Sequence, residues 1–355
     1  MDEYRDKKLI DFLVDRLHST STKEIRLMEV CGGHTHAIQR FGIPSLLPGS
    51  IELLSGPGCP VCVTDKQFID KAIYLSQNPS FIISTYGDLI RVPGSTSSLE
   101  KEKANGADIR ILSSTLDAIK IAEDNPSKII IFLGIGFETT SPATAVAILE
   151  AKKRGLRNFH LLSAHKIMPP AMEALIHEGV TINGYICPGH VSTITGSEMY
   201  KPIVENHKLG CVIAGFEPVD ILQSILMLVE QYENKAPKLE IQYKRAVKPE
   251  GNILAKKSLQ EVFELKDENW RGFGIIPKSG FQLKKAYSEF DIENTIEIKI
   301  PEPREDKGCI CGNILKGWSK PIDCNLFRKI CNPTNPVGAC MVSNEGACHA
   351  YYRYN

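Results

Sequence analysis

Residues 128–144 read KIIIFLGIGFETTSPAT. KIIIFLGI is a continuous apolar run with the length of one buried strand, and it is far too short to span a bilayer. GFETTSP then breaks it with a polar, glycine-bearing loop, and Ser141–Pro142 places an N-cap residue before proline at a first helical position. Strand, loop and helix start in that order make one βα unit. The same order recurs on both sides. IRLMEV (25–30), IELLS (51–55), FIIST (81–85), ADIRIL (107–112), FHLLSA (159–164), INGYIC (182–187) and GCVIAG (210–215) are further strand candidates. Amphipathic segments alternate with them, which predicts an α/β fold built on mostly parallel sheet.

Helix signals agree. DKKLIDFLVDRL (6–17) sets Ile10, Leu13, Val14 and Leu17 at helical spacing, and Thr64 followed by Gln67 has the form of a capping box. At 355 residues the chain exceeds the size at which one core keeps growing. NPSK around Pro126 and YENKAPK near Pro237 suggest boundaries, giving α/β units over 1–125 and 126–236 and a third region over 237–355. The third region enters its cysteine-rich end through the charged connector IPEPREDKG (300–308). GFE occurs at 136–138 and again at 215–217, a faint internal echo.

Composition narrows the function. Lys+Arg and Asp+Glu are both 42, and no basic run interleaved with aromatics is present, so nucleic acid is not an expected partner. The charged start MDEYRDKK lacks the apolar core of a secretory signal, and the expected setting is cytoplasmic, without a membrane. Eleven cysteines in such a chain point to metal or redox chemistry rather than a disulfide framework.

The unusual residues share one position. CGGHTH (31–36), GPGCPVC (56–62), GFETTSP and CPGHVST (187–193) each follow a strand, and the carboxyl edge of such sheets is where ligands bind. In the first loop, Cys31 and His34 can face one centre. Gly32 and Gly33 add nothing to packing, and His36 is as suited to orienting a neighbour as to binding metal. Cys59 and Cys62 form a C-x-x-C between strand and helix, the setting of reversible disulfide chemistry. Half of a zinc site completed by Cys31 and His34, or soft donors for iron or copper(I), are competing readings. Glu138 can accept a proton or hold a ligand N–H. Thr139, Thr140 and His190 are further candidates to line the crevice.

Six cysteines crowd the last fifty residues. Cys311, Cys324, Cys331 and Cys348 are spaced C-x12-C-x6-C-x16-C, four thiols from one loop-rich segment that suit a cubane iron–sulfur cluster or zinc. Paired C-x-x-C knuckles are absent there, which favours iron–sulfur. Cys309 and Cys340 are surplus, and Cys309 could replace Cys311.

With these motifs in hand, and with MVSNEGAC (341–348), the sequence resembles the HypD family of hydrogenase maturation proteins over nearly its whole length. The resemblance implies two parallel-sheet α/β domains around a cleft plus a C-terminal region carrying a 4Fe-4S cluster on Cys311, Cys324, Cys331 and Cys348. It implies a maturation factor for nickel–iron hydrogenase, a scaffold for assembly of an iron(II) group bearing two cyanides and one carbon monoxide. The work would be done in complex with a HypC-type chaperone, with cyanide delivered by a HypE-type carrier and the hydrogenase large subunit served indirectly. Cys31 would then be the iron ligand with His34 beside it, and Cys59 and Cys62 a redox pair or further iron ligands. This describes an assembly scaffold with redox capability rather than a turnover enzyme. The alternatives are an iron–sulfur thiol/disulfide oxidoreductase using Cys59 and Cys62, and a zinc-stabilised interaction protein.

Overall fold

The computed structural model describes residues 2–304 and 306–355; Met1, and Glu305 of the IPEPREDKG connector, lie outside the described residues. The strands are β1 (Ile25–Glu29), β2 (Ile51–Ser55), β3 (Phe81–Thr85), β4 (Ile109–Ile111), β5 (Ile129–Gly136) and β6 (Phe159–His165). Then follow β7 (Gly184–Pro188), β8 (Gly210–Ala214), β9 (Leu239–Ile241), β10 (Phe263–Trp270) and β11 (Gly274–Leu283). They form a five-stranded sheet in the order β2-β1-β7-β8-β9, a four-stranded sheet in the order β4-β3-β5-β6, and the hairpin β10-β11. Every pairing in the two larger sheets is parallel. The class is α/β, as the alternation implies.

The division of the chain differs from the expected one. A boundary at 125/126 would separate β3 from β5, which pair from Phe81↔Ile129 to Ser84↔Phe132. The cause is the burial of β5: almost all of IIIFLGIG is sealed from water, so its backbone needs a partner on each edge, found in β3 and β6. The chain therefore leaves the first sheet after β2, builds the second with β3 to β6, and returns for β7 to β9. A boundary at 236/237 likewise misses β9, which completes the first sheet beside β8.

Helices fill the faces. In α1 (Lys7–Thr20) the Asp6 carboxylate accepts from Leu9 N at 2.8 Å, a cap whose loss costs about 1 kcal/mol. Leu13 and Leu17 are buried against the helix Pro218–Glu233, with Ile10 and Val14 packed at the margin. α2 (Gly32–Arg40) follows β1, and α3 (Pro60–Val63) and α4 (Lys66–Ser76) follow β2. The α4 cap is Asp65, which accepts from Phe68 N at 3.0 Å, not the expected Thr64. Thr64 is spent on closing α3, its hydroxyl donating to Pro60 O at 2.8 Å. Ser141 likewise lies inside its helix, its hydroxyl donating to Phe137 O at 2.8 Å, and Thr140 takes the cap position.

The third region joins the sheets. Trp270 at the end of β10 bridges to Thr64, and Asp291 bridges to Leu161 of β6. The cysteine-rich tail is tied to the second sheet through Arg91, which donates to Val342 O at 2.9 Å, and to α2 through Asn355 and Gln39 at 2.9 Å. One continuous apolar core runs from Met28 and Val30 through Cys59, Cys62, Phe137 and Trp270 to Ile314, Phe327 and Met341. Among the described residues no helix is long and apolar enough to cross a membrane.

Candidate metal and thiol site

Cys31 is the N-cap of α2, at the carboxyl edge of β1. Its N–H donates to Glu29 Oε2 at 3.1 Å, and the Thr35 hydroxyl donates to the other oxygen of the same carboxylate. The GPGCPVC loop is pressed against it: Gly32 N donates to Gly58 O at 2.9 Å, and a Cβ on Gly58 would stand 2.2 Å from Cys31 N. Only glycine fits there. Of the nine free cysteines, Cys31 and Cys309 alone are partly exposed. Desolvation, with the Glu345 carboxylate next in weight, pushes the Cys31 thiol up to about 12, against the helix-start amides of His34 and Gly33. It is a thiol at neutral pH, and a soft cation must displace its proton.

His34, three residues further on, is buried. Its Nε2–H donates to Ala214 O and Gly215 O at 3.2 and 3.0 Å, which fixes the tautomer and leaves Nδ1 without a partner among the described residues. Burial pulls its pKa down to about 4, so the ring is neutral and Nδ1 presents a lone pair. Phe216 stacks with His34 at 4.6 Å and with His190 at 4.0 Å between ring centroids, so the CPGH loop does join the first loop. Gly33 also lies against Phe216. Phe216 carries no sequence signal beyond being the middle letter of the second GFE, and nothing in the spacing of Glu29 and Glu345 marks them.

Other expected residues are placed differently. His36 turns to the tail, with Nδ1 at 3.3 Å from Asn344 O and Nε2 at 3.3 Å from the Tyr354 hydroxyl, so it orients α2 rather than facing the crevice. Glu138 is buried; Oε1 accepts from Met168 N at 3.1 Å, while Oε2 has no partner among the described residues. Burial raises it to about 7. No hydrogen bond among the described residues links Glu138 to Cys31, His34, Cys59 or Cys62. Thr139 is exposed, and the Thr140 hydroxyl donates within its own loop to Phe137 O at 3.2 Å.

Cys59 and Cys62 are joined as a disulfide at the start of α3, both buried. In that state neither offers a thiolate. Cys62 Sγ lies 3.9 Å from Ala339 O, one residue before Cys340, so the pair stands between the Cys31 loop and the tail. Among the described residues no three His, Cys, Asp or Glu side chains converge to hold a single metal ion.

In the tail, Cys309, Cys311, Cys324, Cys331, Cys340 and Cys348 line one small pocket with Ile314, Leu326, Phe327 and Met341. The Cys311 thiol is within hydrogen-bonding reach of both Cys309 and Cys340. Val337 N donates to Cys331 Sγ at 3.4 Å. Desolvation is the main force raising the Cys348 thiol, with four other tail thiols adding to it. Six mutually crowding thiols in an apolar enclosure suit a cationic iron core that takes up thiolates and expels their protons. The donor set fits a 4Fe-4S cluster, with Cys309 and Cys311 both in position as the first ligand.

These features define an α/β protein with a partly exposed cysteine at a sheet edge, a buried disulfide near it and a cysteine pocket in the tail. Residues 8–355 match the HypD family, described as hydrogenase formation hypA family, and the chain belongs to it. It is 47% identical over 364 residues to the hydrogenase maturation factor HypD2 of Bradyrhizobium diazoefficiens, covering 99% of this chain and 96% of that one. It is 45% identical over 351 residues to a putative hydrogenase expression/formation protein of Methanocaldococcus jannaschii, covering 98% of each. It is 41% identical over 363 residues to the hydrogenase maturation factor HypD of Escherichia coli, covering 100% and 97%.

Proposed function

We propose that this hydrogenase maturation factor is a cytoplasmic scaffold on which an iron(II) group carrying two cyanides and one carbon monoxide is assembled, with Cys31 as the protein's own iron ligand. The observation that carries this reading is Cys31: a partly exposed residue at a helix start, in the same loop as a neutral His34 whose Nδ1 has no partner among the described residues. Low-spin iron(II) is soft enough to take a thiolate, and binding expels the thiol proton.

One ligand is too few to hold iron, and with Cys59 and Cys62 oxidised the chain supplies no second thiolate there. A partner must complete the site, which suits a HypC-type chaperone offering its own cysteine, with a HypE-type carrier bringing cyanide. Reduction of the Cys59–Cys62 disulfide consumes two electrons and two protons and yields two thiols within the same core, able to ligate iron or to return the electrons. A 4Fe-4S cluster held by Cys311, Cys324, Cys331 and Cys348, when bound, supplies single electrons to this region. The buried disulfide beside the cysteine pocket also favours a second reading, an iron–sulfur thiol/disulfide oxidoreductase.

Complementation of a strain lacking its own HypD separates the two. Cys31→Ala should abolish hydrogenase maturation while the purified variant keeps its tail iron and sulfide. Normal maturation by that variant overturns the scaffold, and lost maturation only in Cys59→Ala and Cys62→Ala favours the oxidoreductase.

A further inference from the structure

The turn between β10 and β11 carries an arginine that none of the site chemistry above uses. Arg271 N donates to Val63 O at 2.8 Å, and its Nε donates to Thr64 O at 2.9 Å. It is thereby fastened to the two residues that follow Cys62. The preceding Trp270 is fully buried, its indole N–H donating to Ser279 Oγ at 2.8 Å, so the turn cannot drift. On its other side the turn presses on the tail: Gly272 has φ +85, and a Cβ there would stand 2.6 Å from Gly312 Cα, next to Cys311.

Between these anchors the guanidinium keeps one nitrogen unused. Arg271 Nη2 is buried and has no hydrogen-bond partner among the described residues. A buried charged donor left unpaired is costly, and such a group is normally explained by a ligand. The turn that carries it lies against the wall of the cysteine pocket, through Gly272 on Gly312, the residue after Cys311.

We propose that Arg271 is the positioning cation of the tail cysteine pocket, giving its free N–H and its charge to the sulfur-bound iron there and raising the reduction potential of the cluster. The inference rests on the reading that the pocket holds a 4Fe-4S cluster. Hydrogen bonds to sulfur and nearby positive charge both favour the more negative, reduced state. Because the same side chain is bonded to Thr64 O, a shift of the helix bearing the Cys59–Cys62 disulfide would move the guanidinium. The state of one redox pair would thus be felt by the other.

An anaerobic redox titration of the purified full chain, followed by electron paramagnetic resonance, tests this in the wild type, Arg271→Gln and Arg271→Lys, with iron and sulfide counted in each. Arg271→Gln should weaken reduction about tenfold, a fall of about 59 mV for a one-electron couple. Arg271→Lys keeps a charge but loses the planar fork, and should fall by a smaller, measurable amount. A fully loaded Arg271→Gln protein with the wild-type midpoint overturns the proposal, as does a variant that merely loses cluster while the remainder titrates normally. If the Gln chain does not fold, an unchanged midpoint in Arg271→Lys overturns it alone. Wild-type protein lacking iron and sulfide would instead sink the cluster reading itself, and the proposal with it.

Discussion

Gly58→Ala is the sharpest single perturbation of the site, because it adds one methyl where two loops meet. The new Cβ would stand 2.2 Å from Cys31 N, 2.4 Å from Cys31 Cα and 2.5 Å from Val30 C. Ordinary contact begins near 3.4 Å, so the backbones must separate by about 3.4 − 2.2 = 1.2 Å. The shift of a flexible side chain cannot absorb this, since the three nearest atoms are all main chain. Overpacking of this kind costs about 1–3 kcal/mol, which changes the folded-to-unfolded ratio about 5- to 160-fold. It should also break the 2.9 Å bond from Gly32 N to Gly58 O and move the Cys31 thiol away from its helix start. Displacements of about 1 Å at a reacting centre cost on the order of a hundredfold. Urea unfolding should therefore show a lower midpoint, and hydrogenase maturation should fall at temperatures where the variant stays folded. A Gly58→Ala protein with wild-type stability and full maturation would refute the close packing of the two thiol-bearing loops.

Three further outcomes follow from the same contacts. Glu138 is raised by burial from about 4.5 to about 7, so the native state holds its proton more tightly than the unfolded chain. Stability contributed by the neutral acid is present below pH 4.5 and is lost as pH rises to about 7, a decline of about 3 kcal/mol. Glu138→Gln should remove that decline relative to wild type in unfolding curves between pH 5 and 8, and parallel curves would contradict the assignment. Cys324→Ala should remove the brown visible absorption expected of the proposed cluster, and unchanged iron content would count against the proposed tail ligands. Cys309→Ser should keep the cluster and Cys311→Ser lose it; the reverse result would move the first ligand to Cys309.

The strands were legible because each is a short apolar run closed by glycine or a polar residue, as IELLS and FIIST show. Their order was not. β1 and β7 pair although more than 150 residues separate them, and nothing local to either segment encodes a parallel neighbour reached by a long crossover. The boundary near Pro126 failed for the same reason: a turn signal marks a loop, and only the burial of β5 on both edges says that the loop lies within a sheet. Cys31 and His34 were legible from spacing as members of one loop at a strand end. Phe216, which joins His34 to His190, was hidden because an aromatic after a strand looks like any core residue. The Cys59–Cys62 disulfide and the choice between Cys309 and Cys311 depend on sulfur positions, which spacing does not fix.

Infrared spectroscopy of the anaerobically purified protein, in complex with the proposed HypC-type chaperone, tests the central claim most directly. Wild type should show two cyanide stretching bands and one carbonyl band, all absent in Cys31→Ala while the tail absorption persists. Bands of unchanged position and strength in the Cys31→Ala complex would mean that the iron is held elsewhere.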